Sequence, residues 1–257
     1  MPDLPPTNAP NLPPLPIAAR RTVTLFGAPA ELVLLPQRAN RRDTPGAARP
    51  PFAPCRARTI VADEAIWQAD GLAATPNRFP FLREQLLLWP TEPMRDPSLR
   101  LWQVAHAWVE RTGGVGLLNN IGSAASIARA HVHLGMEQGT FLAALPRRRW
   151  EGALDLPAGV AVTAADVPFC LLALEGAPER RAEAVWQLAE QRLTPAWNVV
   201  VEPQTTWVMP RSAERAAGFA AAVGAAEVWG RWCFTDEVEW RAASPEGLAG
   251  ALVGVGC

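Results

Sequence analysis

The sequence predicts an α+β fold, an antiparallel sheet with flanking helices. Three observations lead there. Short apolar runs of strand length recur between turn signals rich in Gly, Pro and Asn. Two longer segments, "PSLRLWQVAHAWVERTGG" and "PERRAEAVWQLAEQRL", space their apolar residues as one helix face does. Strands and helices also mix without the strict alternation that a parallel sheet requires.

The elements follow in order. "MPDLPPTNAPNLPPLPIAAR" is too dense in proline for a helix or a central strand. It reads as an extended arm over residues 1–20, disordered or laid over the surface, with one domain filling 21–257. "RTVTLFG" and "AELVLLPQ" read as a strand pair across a Gly-Ala-Pro turn, and Ala39 to Ala57 as a polar loop. "RTIVADEAIWQADGLAATP" mixes short strands and turns, and Gln85 to Trp89 is a strongly apolar strand. The helix after Pro97 places Leu101, Val104, Ala105 and Trp108 on one face and stops at Gly-Gly. "VGLLNN" and "AHVHLGME" are buried strands. In the second half, which repeats this grammar loosely, a helix precedes the hairpin "AWNVVVEPQTTWVMPR". "SAERAAGFAAAVGAAEVW" reads as a helix followed by a strand, and "SPEGLAGALVGV" as a terminal helix. Two related halves in one chain fit this pattern.

Composition narrows the class. Of 257 residues, 49% are hydrophobic and 19% charged, enough for a substantial core. The net charge of -1 carries no electrostatic footprint for nucleic acid. No apolar run reaches membrane-spanning length, and the start lacks the charged and apolar regions of a signal peptide. A cytoplasmic protein is the expectation. All 24 basic residues are Arg and Tyr is absent, a bias that matches GC-rich coding more than site chemistry. Cys55, Cys170, Cys233 and Cys257 are scattered, without a metal-binding Cys-x-x-Cys.

Chemistry concentrates in "NNIGSAASIARAHVHLG". His131 and His133 stand two apart, the strand period, so both point to one face. The chain has only 3 His. The small-residue loop before them suits backbone donation to an anion. A histidine held beside such a loop can attack phosphorus, with its partner orienting it and Ser123 and Ser126 holding oxygens. The bland alternative is two histidines satisfied by backbone groups on a half-buried strand. His106 reads as helix packing or surface, and the run Arg147 to Arg149 as a solvated turn.

A resemblance sharpens this. "PNRFPFLREQLLLWP", the His-x-His strand, "WNVVVEPQTTWVMPRS" and "GAAEVWGRWCFTDEVEW" occur in the order found in the histidine-triad superfamily. They resemble its larger branch of diadenosine tetraphosphate phosphorylases, GDP-hexose phosphorylases and galactose-1-phosphate uridylyltransferases. The likeness runs from about Thr22 to the C-terminus. It implies a nucleotidyltransferase or phosphorylase in which His133 takes a nucleotidyl group, supported by His131. It implies that Asn77 lies near the ribose, with Arg78, Phe79 and Pro80 shaping that pocket. Asn120, Gly122, Ser123 and Ser126 would form the phosphate loop, and Arg211 would contact the polyphosphate tail or second substrate. The substrate would be a nucleoside polyphosphate or nucleotide sugar, and the acceptor phosphate or another small group. No cofactor is required beyond a magnesium ion travelling with the polyphosphate, and neither a nucleic-acid nor a membrane partner is expected.

The chain departs from the family before and after the nucleophile: the loop from Ser126 to His131 is about two residues longer than the family's Ser-x-x-His, and the third histidine of the smaller triad hydrolases is missing. The usual glutamine two residues past the nucleophile is Gly135, and Gln138 could replace it only through a bulge. These departures keep open a non-catalytic nucleotide-binding protein of the same fold, or a biosynthetic transferase with an unusual acceptor.

Overall fold

Strand β1 (Ala19–Leu25) turns back as β2 (Ala28–Leu34) at Phe26 and Gly27, both with positive φ, so the turn sits one step before the predicted one. Positive φ at both central residues matches the right-handed twist of a hairpin. The computed structural model describes residues 3–7, 9, 11–40, 61–125, 127, 129–219 and 222–257. Most of the loop expected over 39–57 therefore lies outside the described residues, with Cys55.

The main sheet has ten strands, all paired antiparallel. Its first half is β3 (Trp67–Ala69), β4 (Leu72–Pro76), β5 (Leu86–Pro90), β6 (Val115–Asn119) and β7 (Val132–Gly135). The second is β8 (Arg147–Arg149), β9 (Ala161–Ala165), β10 (Leu172–Glu175), β11 (Ala196–Val201) and β12 (Thr205–Arg211). The spatial order is β3-β4-β5-β7-β6-β11-β12-β10-β9-β8. Outward from the β6–β11 seam, the two halves run in the same sequence. Helix α1 (Leu99–Thr112) interrupts the first half between its third and fourth strands. After the short α2 (Phe141–Ala144), α3 (Pro178–Gln191) interrupts the second at the same place. The two related halves anticipated from the sequence are thus visible in the topology.

Each half closes for local reasons. The Ser98 hydroxyl caps α1 by accepting from Leu101 N, and Gly113, at φ 67, ends it. The predicted α1 face, Leu101, Val104, Ala105 and Trp108, is fully buried. It packs with α3 over one side of the sheet, on Leu86, Leu88, Val132, Leu134, Val199 and Val201. The other side carries Leu117, Val200, Trp207 and Met209 under the small sheet. There β13 (Arg231–Phe234) adds parallel to β2, after the short α4 (Ala225–Val228). Helices α5 (Glu237–Ala242) and α6 (Pro245–Val255) finish the chain. The Trp207 and Trp229 indoles donate to the two oxygens of Glu202 at 3.0 and 3.1 Å, tying the large sheet to this layer. Burial pushes that carboxyl up.

The proline arm lies over the surface rather than loose. Leu4 and Leu12 pack on the helix-side core, and the Pro5 carbonyl accepts from Arg111 at 2.8 Å. The helix expected after Arg211 is absent from residues 212–219, and the strand expected at the end of that stretch is the short helix α4. The carbonyls of Ala213 and Glu214 turn to the buried Arg211 guanidinium instead, whose donors need acceptors. "PRRRW" is an exposed edge strand, β8, rather than a turn.

His106 is a core residue. Its Nδ1 donates to Trp102 O at 2.8 Å and its Nε2 accepts from Thr206 Oγ1 at 2.9 Å, an arrangement only the neutral ring allows. Burial pulls its pKa from 6.5 to about 3, helped by the nearby Arg181 charge. The unfolded chain therefore binds a proton below pH 6.5 that the folded chain refuses, and stability falls as pH drops from 6.5 toward 3. Between pH 7 and pH 5 this group alone should remove about 2 kcal/mol. Urea unfolding at both pH values should show that difference in the native protein and its loss in His106→Gln.

Candidate functional site

Strand β7 passes between β5 and β6, so its side chains alternate between two buried layers. Val132 and Leu134 face the helices. His133 faces the opposite way, paired with Leu87 on β5 and Leu117 on β6. His131 immediately precedes the strand on the same side. The two rings meet edge to face at 4.9 Å. His131 is buried and stacks on Trp89 at 4.8 Å, and its Nδ1 donates to Arg129 O at 2.7 Å. His133 is half-buried and tilts against Phe81 at 5.2 Å.

A residue that the sequence did not single out completes this face. Gln85 is 1% exposed. Its Oε1 accepts from Phe81 N at 2.8 Å and Leu82 N at 3.1 Å, which turns its Nε2 toward His133 Nδ1 at 2.9 Å. Its own carbonyl accepts from Asn77 N at 3.1 Å, so the turn holding Asn77 is pinned to the same residue. Asn77 is nearly buried, with Oδ1 accepting from Phe79 N in a local turn. Only a polar residue opening an apolar strand could have flagged Gln85.

The remaining candidates divide. Asn120 lies at the loop entrance, where its Nδ2 donates to Asp96 at 3.4 Å and its buried Oδ1 lacks a partner. Gly122 follows at φ +92, a left-handed turn that suits glycine. Ser126 lies outside the described residues. Ser123 is fully buried, with its hydroxyl 2.7 Å from Trp197 O and 2.8 Å from Asn120 O. It holds the loop to β11 and has no proton left for a ligand.

Three residues expected at the site are elsewhere. Arg211 is fully buried and donates to Asn198 Oδ1 and to the carbonyls of Val223, Ala213 and Glu214. A guanidinium saturated by protein acceptors cannot reach a polyphosphate. Burial pulls its pKa down to about 10, against the Glu227 and Glu214 charges, so it stays cationic near neutrality. Arg78 points outward to Glu64 at 2.5 Å. Gln138 donates to Gly113 O at 3.2 Å and lines a cleft of about 220 Å³ with Glu31, Trp229 and Arg231, to which neither histidine contributes.

Gly135 itself has a packing reason. A Cβ there would stand 2.6 Å from Leu82 Cβ. Leu82 thus fills the space into which a glutamine at 135 would project.

Asn198 was passed over as a site residue, yet it organises the loop. Its Nδ2 donates to Asn119 Oδ1 at 2.8 Å and Ser123 O at 3.0 Å, and its Oδ1 accepts from Arg211.

No protein-family model matches the chain, and no curated protein matches it in sequence. Solved structures do match. The yeast Ap4A phosphorylase Apa2 in complex with Ap4A aligns with a TM-score of 0.69 and 14% identity, over 95% of this chain and 91% of that one. The same enzyme in complex with AMP aligns at 0.66 with 16% identity, over 95% and 90%. The chain has the fold of that phosphorylase.

Two substitutions test this packing. Gly135→Ala should cost about 1–3 kcal/mol through overpacking against Leu82. Arg211→Met should cost on the order of 3 kcal/mol by orphaning buried acceptors. Both are read from urea unfolding. A neutral result for either would contradict the packing described.

Proposed function

We propose that this protein is a nucleotidyltransferase or phosphorylase acting on a nucleoside polyphosphate, with His133 taking the nucleotidyl group. The observation that carries the reading is a half-exposed His133, with His131 at 4.9 Å, at the centre of a sheet shared in fold with an Ap4A phosphorylase. A His133 nitrogen forms a bond to the α-phosphorus while the bridging P–O bond breaks, and the remaining phosphates leave with its electron pair. An acceptor oxygen then attacks the same phosphorus and the N–P bond breaks, returning the imidazole. Phosphate as acceptor makes a phosphorylase, and a sugar phosphate or other small group makes a transferase. In this reading Asn77 serves the nucleoside and Asn120, whose Oδ1 has no partner, serves the loop-side groups. Magnesium enters as part of the polyphosphate substrate.

A second reading, binding without chemistry, is favoured by the Gln85 contact. A neutral imidazole that accepts at Nδ1 carries its proton at Nε2, and that nitrogen then donates to a phosphoryl oxygen instead of attacking phosphorus.

Mass spectrometry of the intact protein separates the two. After brief incubation with ATP, GTP, UDP-glucose or diadenosine tetraphosphate without acceptor, one donor should leave an acid-labile nucleotidyl adduct on His133. His133→Asn should fold normally and show none. Nucleotide binding without any adduct would establish the second reading, and an adduct that persists in His133→Asn would overturn the role of His133.

A further inference from the structure

We propose that Gln85 is the positioning residue that decides which nitrogen of His133 carries its proton, and that it holds the ring in the non-attacking form. The proposal rests on the reading that His133 meets the phosphate. It starts from an amide whose orientation is fixed. Gln85 is buried at the start of β5, and two backbone N–H groups converge on its Oε1. Turning the amide over would bring its NH2 against both donors and break both bonds. The Nε2 group therefore faces His133 as a donor, at 2.9 Å from Nδ1. An Nδ1 that accepts has no proton, so the neutral ring keeps its proton on Nε2.

The sequence around β7 leaves this task to Gln85. The position two residues beyond His133, on the same face, is glycine, and Leu82 Cβ would stand 2.6 Å from any Cβ placed there. A side-chain amide cannot come from β7 itself. It comes instead from the residue just before the neighbouring strand β5. The residues that lock it, Phe81 and Leu82, are the same ones that pack on His133 and close the Gly135 position.

For Nε2 to attack phosphorus, the proton must sit on Nδ1 and be given to an acceptor there. Glutamate at position 85 provides one. One carboxylate oxygen keeps the Phe81 and Leu82 N–H groups, and the other accepts from Nδ1–H, leaving Nε2 bare. Gln85→Glu should therefore speed nucleotidylation of His133 by about tenfold or more, because the attacking tautomer becomes the dominant one.

The test is two-bond 1H–15N spectroscopy of the histidine rings in the full chain near pH 7.5, with adduct formation followed on the same samples. In the native protein, His133 should give the pattern of an Nε2–H ring. Gln85→Glu should convert it to Nδ1–H and accelerate the adduct. Gln85→Met, which keeps the side-chain volume and removes the donor, should lower the share of the Nε2–H form. An Nδ1–H ring in the native protein would overturn the proposal. So would a His133 pattern unchanged in Gln85→Met. A tautomer switch with no adduct in any of the proteins would sustain the role of Gln85 while defeating the nucleotidyl-transfer reading.

Discussion

Burial of the central strands of the ten-stranded sheet on both faces is the constraint from which the rest follows. A strand inside such a sheet must send alternate side chains into different layers. On β7 this sends Val132 and Leu134 into the core beneath α1, while His133, with His131 just ahead of it, emerges on the other side between Leu87 and Leu117. The same alternation sets Leu86 and Leu88 apart from Leu87 and Trp89 on β5. A shift of one residue in either strand would exchange the histidines for valine and leucine and bury two imidazoles under a helix. The α1–α3 layer is thus what keeps the histidine pair on the opposite face.

Burial also decides which polar residues remain for a ligand. The segment leading to the histidines is held by Asn119, Ser123, Asn198 and Arg211, all bonded to one another or to backbone carbonyls. A guanidinium without water must have its donors satisfied, and Arg211 meets that demand with the irregular segment that follows it. That is how residues 213 and 214 come to wrap the guanidinium, and why Arg211 shapes the loop from behind. What stays near the open face is small: His133, Gln85, Asn77 and Asn120.

Much of this was legible in the sequence. The strand period over "AHVHLG", the helical face from Leu101 to Trp108 and the hairpin across Pro203 and Gln204 all express local patterns that tertiary packing reinforces. The repeated grammar of the two halves became the symmetry of the sheet about the β6–β11 seam. What could not be read was any property set by long-range contact. Arg211 follows a proline in a motif that suggests an exposed ligand, and only the fold shows it enclosed. Gly135 looked like a missing side chain, and only the position of Leu82 shows that the space is taken. Gln85 stands 48 residues from His133, and no spacing rule connects them. Residues 212–219 include helix formers, yet they wrap the donors of a buried guanidinium instead.

The central claim is that a nucleotide's phosphates meet the protein at His133. A crystal structure of the chain with diadenosine tetraphosphate tests it most directly. The account predicts a phosphate group within hydrogen-bonding reach of the His133 ring, with a ribose against the Asn77 turn. A ligand seated instead in the cleft beside Glu31, Trp229 and Arg231, with the histidine face unchanged, would contradict it.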